Sequence, residues 1–172
     1  MTMKFLRGVM QGIENLNRSL YYISSLAILL SAFILTYEVI VRYVLRIPTI
    51  WEIETSVYLT VMATYLGAAY GLKDGAHINI DMITRLLPKG FTEKLSLATS
   101  MIALVFCLLL AWKGWGMWWE ATAKGWRSES LWGPPLTIPY FFLPLGMTLL
   151  SLQYIVLISE IIEKRGGKNH GS

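Results

Sequence analysis

Charged residues divide this chain into a few long apolar stretches. Uncharged runs occupy residues 19–37, 55–72, 95–112 and 130–159, and each is rich in Leu, Ile, Val, Phe and Ala. A helix needs roughly 20 residues to cross the hydrocarbon of a bilayer. The first three runs are each about one crossing long. The fourth is longer, but Gly133, Pro134, Pro135 and Pro139 interrupt its beginning, so a helix in it starts near Pro139. The pattern predicts an all-α integral membrane protein, read as a single domain over 1–172, with four transmembrane helices at about 19–43, 52–72, 93–117 and 138–162. The polar residues before Ser19 and the length of the first apolar run argue for a retained first span rather than a removed signal peptide.

Between spans two and three, Asp74, Gly75, His77, Asn79 and Asp81 predict a polar turn. It leads into Ile80, Met82, Ile83, Leu86 and Leu87, which recur on one helical face. Asn79 or Asp81 can cap this segment, so an in-plane amphipathic helix over about 79–88 is expected on the inner leaflet, with Arg85 and Lys89 toward anionic headgroups.

Composition agrees with the membrane reading. The 172 residues are 55% hydrophobic and 15% charged, against roughly a quarter charged in soluble domains. This excludes a disordered chain and a nucleic-acid module, and the single cysteine, Cys107, excludes a disulfide scaffold. Charge then gives orientation. With four spans, ten of the Lys and Arg residues fall on the side of the termini and five on the other, so both termini are expected in the cytoplasm. The outer five are Arg42, Arg46, Lys113, Lys124 and Arg127, balanced by Glu38, Glu52, Glu54, Glu120 and Glu129. All seven Trp residues lie on or near the outer side. They read either as interfacial anchors or as a surface for a partner.

Candidate chemistry is sparse. Ala63, Gly67, Gly71 and Gly75 recur every four residues in span two, and the Gly67/Gly71 pair reads as a helix contact face. Glu38 and Arg42, one turn apart, can neutralise each other, and Glu54 across the turn at Pro48 is expected to join them. The cluster reads as an interfacial ion pair or as a proton or cation site. His77 reads as a hydrogen-bonding loop residue, with His170 the only other histidine. Pro144 predicts a kink in span four. Haem ligands, a thiol pair, a phosphate loop and a catalytic triad are all missing from the sequence, so no cofactor, metal or enzyme activity is expected.

The run Glu38-Val39-Ile40-Val41-Arg42-Tyr43, then Pro48, Trp51 and Glu54, then Gly67-Ala68-Ala69, Asp74-Gly75-Ala76-His77-Ile78-Asn79-Ile80-Asp81, and finally Ile138-Pro139-Tyr140 with Pro144 and Gly146, resembles the DctQ-type small permease subunit of tripartite ATP-independent periplasmic (TRAP) transporters. Lys73 stands where many relatives carry Arg, which keeps the charge. The resemblance implies a bacterial inner-membrane protein without a substrate or ion site of its own. It would brace a large elevator-type permease subunit (DctM type), contribute to docking of a periplasmic substrate-binding protein (DctP type), and serve ion-coupled uptake of an organic acid. The residues above, with Tyr43, Asp81 and Pro139, are then candidates for subunit contact or structure, alongside membrane lipids and no nucleic acid. The competing reading is a self-contained proton-coupled exporter using Glu38. A quinone or haem oxidoreductase lacks its ligands.

Overall fold

A computed structural model describes residues 2–84 and 89–168. Four helices account for nearly all of it: α1 (Thr2–Ile40), α2 (Glu52–Thr84), α3 (Lys89–Ala123) and α4 (Thr137–Lys168). No strand occurs among the described residues beyond one isolated bridge, between Arg127 and Pro135. α1, α3 and α4 contain segments long and apolar enough to cross a membrane: Gln11–Leu45, Lys94–Ala123 and Thr137–Glu163. The apolar run of α2 is diluted by Thr55, Ser56, Tyr58, Thr60, Thr64, Tyr65 and Gly67. Its lower hydropathy suits a helix shielded by protein on two sides.

That is where α2 sits. α1 packs along α2, α2 along α4 and α4 along α3, while among the described residues α1 and α3 do not approach each other. The helices therefore form an open layer in the order α1, α2, α4, α3. Both edge helices use a seam repeating every seven residues. In α1, Asn17, Ser24, Ser31 and Glu38 are buried at seven-residue steps, with Ala27 beside them; in α3, Ser100, Cys107, Gly114 and Ala121 are, with Ala111 beside them. A seven-residue repeat is the signature of left-handed, near-parallel packing. Here the seams carry small or polar residues, and large apolar side chains such as Phe33, Ile102 and Phe106 point outward. In lipid this inversion is expected, because small residues let backbones approach and dispersion replaces the hydrophobic effect between helices.

The closest approaches join the two central helices and α4 to α3. At Gly146 of α4, a Cβ would lie 2.6 Å from the Tyr65 Cβ of α2 and against the Tyr65 backbone. At Gly114 of α3, it would lie 2.6 Å from Leu143 Cδ2 and 3.1 Å from Pro144 Cβ. Pro144 is fully buried in this contact, and α4 continues helical through it. Toward the opposite end, Asn17 Nδ2 donates to Gln153 Oε1 across 2.8 Å, tying α1 to α4. The Tyr21 and Tyr70 rings stack 4.6 Å apart between α1 and α2.

One expectation is corrected. The polar turn at residues 74–81 is absent, and α2 runs unbroken to Thr84. Between Glu52 and Thr84 there is no proline, and a single glycine costs only about 1 kcal/mol in a helix. The first strong breaker is Pro88. Residues 85–88, the second half of the expected in-plane helix, lie outside the described residues, as do the side chains of residues 73–93.

Candidate functional site

Groups of ionisable and aromatic residues concentrate at the end of the helical layer where α1 turns into α2 and α3 into α4. α1 ends in a π-helical turn, Val41–Leu45, closed by Arg46 at φ 57°, a left-handed conformation uncommon for a residue with a side chain. The backbone N–H groups of Arg46 and Ile47 both reach Val41 O. The widened turn precedes Pro48, which cannot continue a helix.

Glu38 and Arg42 pair as expected, Nη2 to Oε1 at 2.7 Å. Glu38 is buried and Arg42 nearly half exposed. The same Nη2 donates to Thr49 Oγ1 at 2.9 Å, so Arg42 links α1 to the short connection before α2. A buried carboxylate without a partner is expensive, and Arg42 supplies the neutralising charge. Tyr43 is exposed. Trp51 N–H donates to Glu52 Oε2 at 3.0 Å, and Trp51 O accepts from both Thr55 N–H and Thr55 Oγ1, which starts α2.

Glu54 does not join the Glu38–Arg42 pair. Its Oε1 instead accepts a hydrogen bond from Ser128 Oγ in the α3–α4 connection. Its Oε2 and the Tyr58 hydroxyl, one turn further along α2, are buried without a hydrogen-bond partner. The sequence separation of 74 residues explains why the pairing is not readable from local spacing.

The connection holding Ser128 is itself well ordered. α3 is capped by Gly125, φ 63°, with Trp126 N–H to Ala121 O at 2.9 Å and Gly125 N–H to Thr122 O at 3.3 Å, the two bonds of a glycine-terminated helix cap. Ser128 N–H to Pro134 O and Leu136 N–H to Trp126 O, both 3.0 Å, close a hairpin-like loop. Within it, Gly133 N–H donates to Ser130 Oγ at 3.1 Å and Arg127 Nη1 to Gly133 O at 3.4 Å. The Trp126 ring meets Tyr140 edge-on. Leu131, 94% exposed, and Trp132, 46% exposed, form the tip.

The expected glycine face divides. Gly67 lies in ordinary contact with Ser24 of α1, 3.4 Å from a Cβ built on it, whereas one at Gly71 would meet nothing within 4 Å. Gly67 therefore packs within the chain and Gly71 opens outward. Gly75, His77 and Asp81 belong to the α2 backbone helix, and their side chains lie outside the described residues. Pro139 is buried in the first turn of α4, where its missing N–H costs nothing. On the face of α1 and α2, a groove of about 350 Å³ is lined by Leu35, Ile53, Val57, Thr60, Val61 and Thr64 among others. The Thr60 and Thr64 hydroxyls donate back to Ser56 O and Thr60 O, both at 2.8 Å, which satisfies them without water.

The contacts that sequence reading missed are Gly146 on Tyr65, Gly114 on Pro144, Asn17 on Gln153, and Ser128 on Glu54. The first two fall outside the four-residue pattern of α2; the seven-residue steps through Ser100, Cys107, Gly114 and Ala121 are the signal that marks the α3 seam. Among the described residues, no group of three or more His, Cys, Asp and Glu comes together as a metal site.

The family model for the DctQ component of tripartite ATP-independent periplasmic transporters matches residues 31–164. A relative in Vibrio cholerae, the C4-dicarboxylate TRAP transporter small permease protein DctQ, is 27% identical over 149 residues, covering 73% of this chain and 63% of its own length. The ectoine TRAP transporter small permease protein TeaB of Halomonas elongata is 28% identical over 151 residues, covering 87% of this chain and 78% of its own. The chain thus spans a little under two thirds of the Vibrio protein.

Proposed function

Because the chain belongs to the family of DctQ components of TRAP transporters, a transport component rather than an enzyme, we propose that it is the small permease subunit of such a transporter. In this role it braces a large elevator-type permease subunit of the DctM type and contributes to docking of a DctP-type periplasmic substrate-binding protein. It sits in the bacterial inner membrane with α2 as the fourth span and both termini in the cytoplasm, the orientation that the ten-to-five distribution of Lys and Arg favours.

The observation that carries the reading is the open helical layer itself. α2, α4 and α3 are locked by backbone-close contacts at Gly146 and Gly114, so the layer resists shear, as a static brace must. Both its faces stay available for a larger neighbour, and the open position at Gly71 lies on α2, the helix least suited to lipid. The Glu38–Arg42 pair supports this over the exporter alternative: at 2.7 Å the carboxylate is occupied by a cation of the same helix, whereas an exporter's acid has to be open to its cargo.

The relatives are named for two unlike solutes, C4-dicarboxylate and ectoine, at almost equal identity. We assign an organic acid as the solute class, with ion-coupled uptake as its mode, and leave the individual solute to the partner components. Affinity purification of the tagged chain from its native membrane tests the reading. A much larger multi-span protein is expected to elute with it in fixed proportion; recovery of the chain alone, competent for transport, would refute it.

A further inference from the structure

The groove on the face of α1 and α2 has the dimensions of half a membrane. Leu35 of α1 and Ile53, Val57, Thr60, Val61 and Thr64 of α2 border its roughly 350 Å³. Ile53 and Thr64 are eleven residues apart, ~17 Å along a helix at about 1.5 Å per residue, and one leaflet contributes about half of the roughly 30 Å hydrocarbon core. The Ser56, Thr60 and Thr64 hydroxyls donate to Ser31 O, Ser56 O and Thr60 O, so they ask nothing of an occupant, and the walls call for an apolar one. A helix, about 10 Å across, seats best on small residues that let two backbones meet. Here Leu35, Ile53, Val57 and Val61 stand in the way, and the space between two packed helices admits something thinner. An acyl chain has that shape.

The end of the groove at Ile53 adjoins the α1–α2 connection. Apolar exposure runs on into this connection from the membrane-long segment of α1, through Tyr43, Val44, Leu45, Ile47, Ile50 and Trp51. Arg46 lies exposed among them. Arg42 is taken by Glu38 and Thr49, but among the described residues the Arg46 guanidinium has no ion pair or hydrogen bond. An apolar segment with one unpaired cation and a Trp at its close is suited to the headgroup level, where the cation meets phosphate.

We propose that this groove is a phospholipid site: one acyl chain lies along α2 from Ile53 to Thr64, and Arg46 pairs with the phosphate of the same lipid. The lipid comes from the leaflet on the side of the α1–α2 connection, and the proposal rests on the reading of α2 as a membrane span. A chain gains no hydrophobic free energy by leaving equally apolar neighbours. Retention therefore needs both the fit of the groove and the charged hydrogen bond to phosphate.

The test reconstitutes the full chain in vesicles of phosphatidylglycerol and phosphatidylethanolamine, extracts it in mild detergent and counts retained phospholipid by native mass spectrometry. One phospholipid per chain is expected in the parent. Arg46→Asn removes the cation while tolerating the left-handed backbone, and should lower retention roughly tenfold, the consequence of losing a hydrogen bond between charged groups. Val57→Phe fills the groove from an exposed position and should lower it severalfold. Val105→Phe, similarly exposed on α3 away from the groove, should change nothing, and all three should melt like the parent. No retained lipid in the parent, unchanged retention in Arg46→Asn or Val57→Phe, or an equal loss in Val105→Phe would overturn the site. Unchanged retention in Val57→Phe with poorer recovery of the large subunit would assign the groove to a protein helix instead. A nitroxide at Val57→Cys in a Cys107→Ala background separates the two readings. If an aqueous paramagnet reaches it rather than oxygen dissolved in lipid, α2 is not a span there and the site fails with it; if oxygen reaches it while the variants retain lipid like the parent, the span stands and the site alone fails.

Discussion

Gly146 of α4 sits directly on the backbone of Tyr65 in α2, closer than any residue with a side chain could. This crossing is where the two central helices are pinned. Four glycines of the chain form a graded series by what an added methyl would meet. At Gly146 it meets rigid backbone. At Gly114 it meets the flexible end of Leu143 and the ring of Pro144, at Gly67 only Ser24 at contact distance, and at Gly71 nothing.

Alanine substitution should therefore destabilise in the order Gly146, Gly114, Gly67, Gly71. Overpacking against backbone costs about 1–3 kcal/mol or more, so Gly146→Ala should lower the melting temperature in detergent markedly, and Gly71→Ala should leave it unchanged. Thermal unfolding of the four variants checks the ranking; a Gly146→Ala protein as stable as the parent would show that the helices cross elsewhere.

Gly71→Leu separates packing within the chain from contact with a partner. The isolated protein should keep its stability, because the site is open, while its recovery with the large subunit should fall. Gly67→Leu, pressing on Ser24, should lower both. Pull-down yield beside a melting curve distinguishes the two, and unchanged recovery for Gly71→Leu would mean that this position faces lipid.

Much of this architecture is legible in the sequence, for reasons that mark where reading stops. Hydropathy registers the solvent of each segment, so α1, α3 and α4 stand out, and Glu38 with Arg42 is readable because a helix brings i and i+4 together. Glu54 shows the limit. Spacing suggests Arg42 as its partner, but the π-helical turn and left-handed Arg46 redirect the chain, and the hydrogen bond comes from Ser128, beyond the rest of α2 and all of α3. The polar stretch after Gly71 reads as a turn because polarity is easily taken for a loop; without proline the helix carries on to Thr84.

Removing Arg42 should be worse than removing the charge of Glu38. Arg42→Ala leaves a buried carboxylate without its cation, whereas Glu38→Gln leaves a neutral amide that still accepts a hydrogen bond. Because Arg42 is nearly half exposed, the cost is about 1–2 kcal/mol, below that of a fully buried pair. Chemical denaturation of both variants tests the order. If Glu38→Gln abolished uptake while stability held, Glu38 would have a role beyond pairing.

The Asn17–Gln153 amide pair offers a double-mutant cycle. Asn17→Leu and Gln153→Leu should each destabilise by up to about 1.7 kcal/mol, the upper range for polar pairs in membranes. Combining them should recover part of the loss, because no amide is then left unpaired. Strict additivity would indicate that the bond seen at 2.8 Å contributes nothing.

The central claim is that this chain supports transport without performing it. Uptake into proteoliposomes should be measured with the large permease subunit and the binding protein, in the presence and absence of this chain, and with this chain and the binding protein alone. Ion-driven uptake is expected only when all three are present. Uptake by the large subunit and binding protein without this chain, or by this chain without the large subunit, would contradict it.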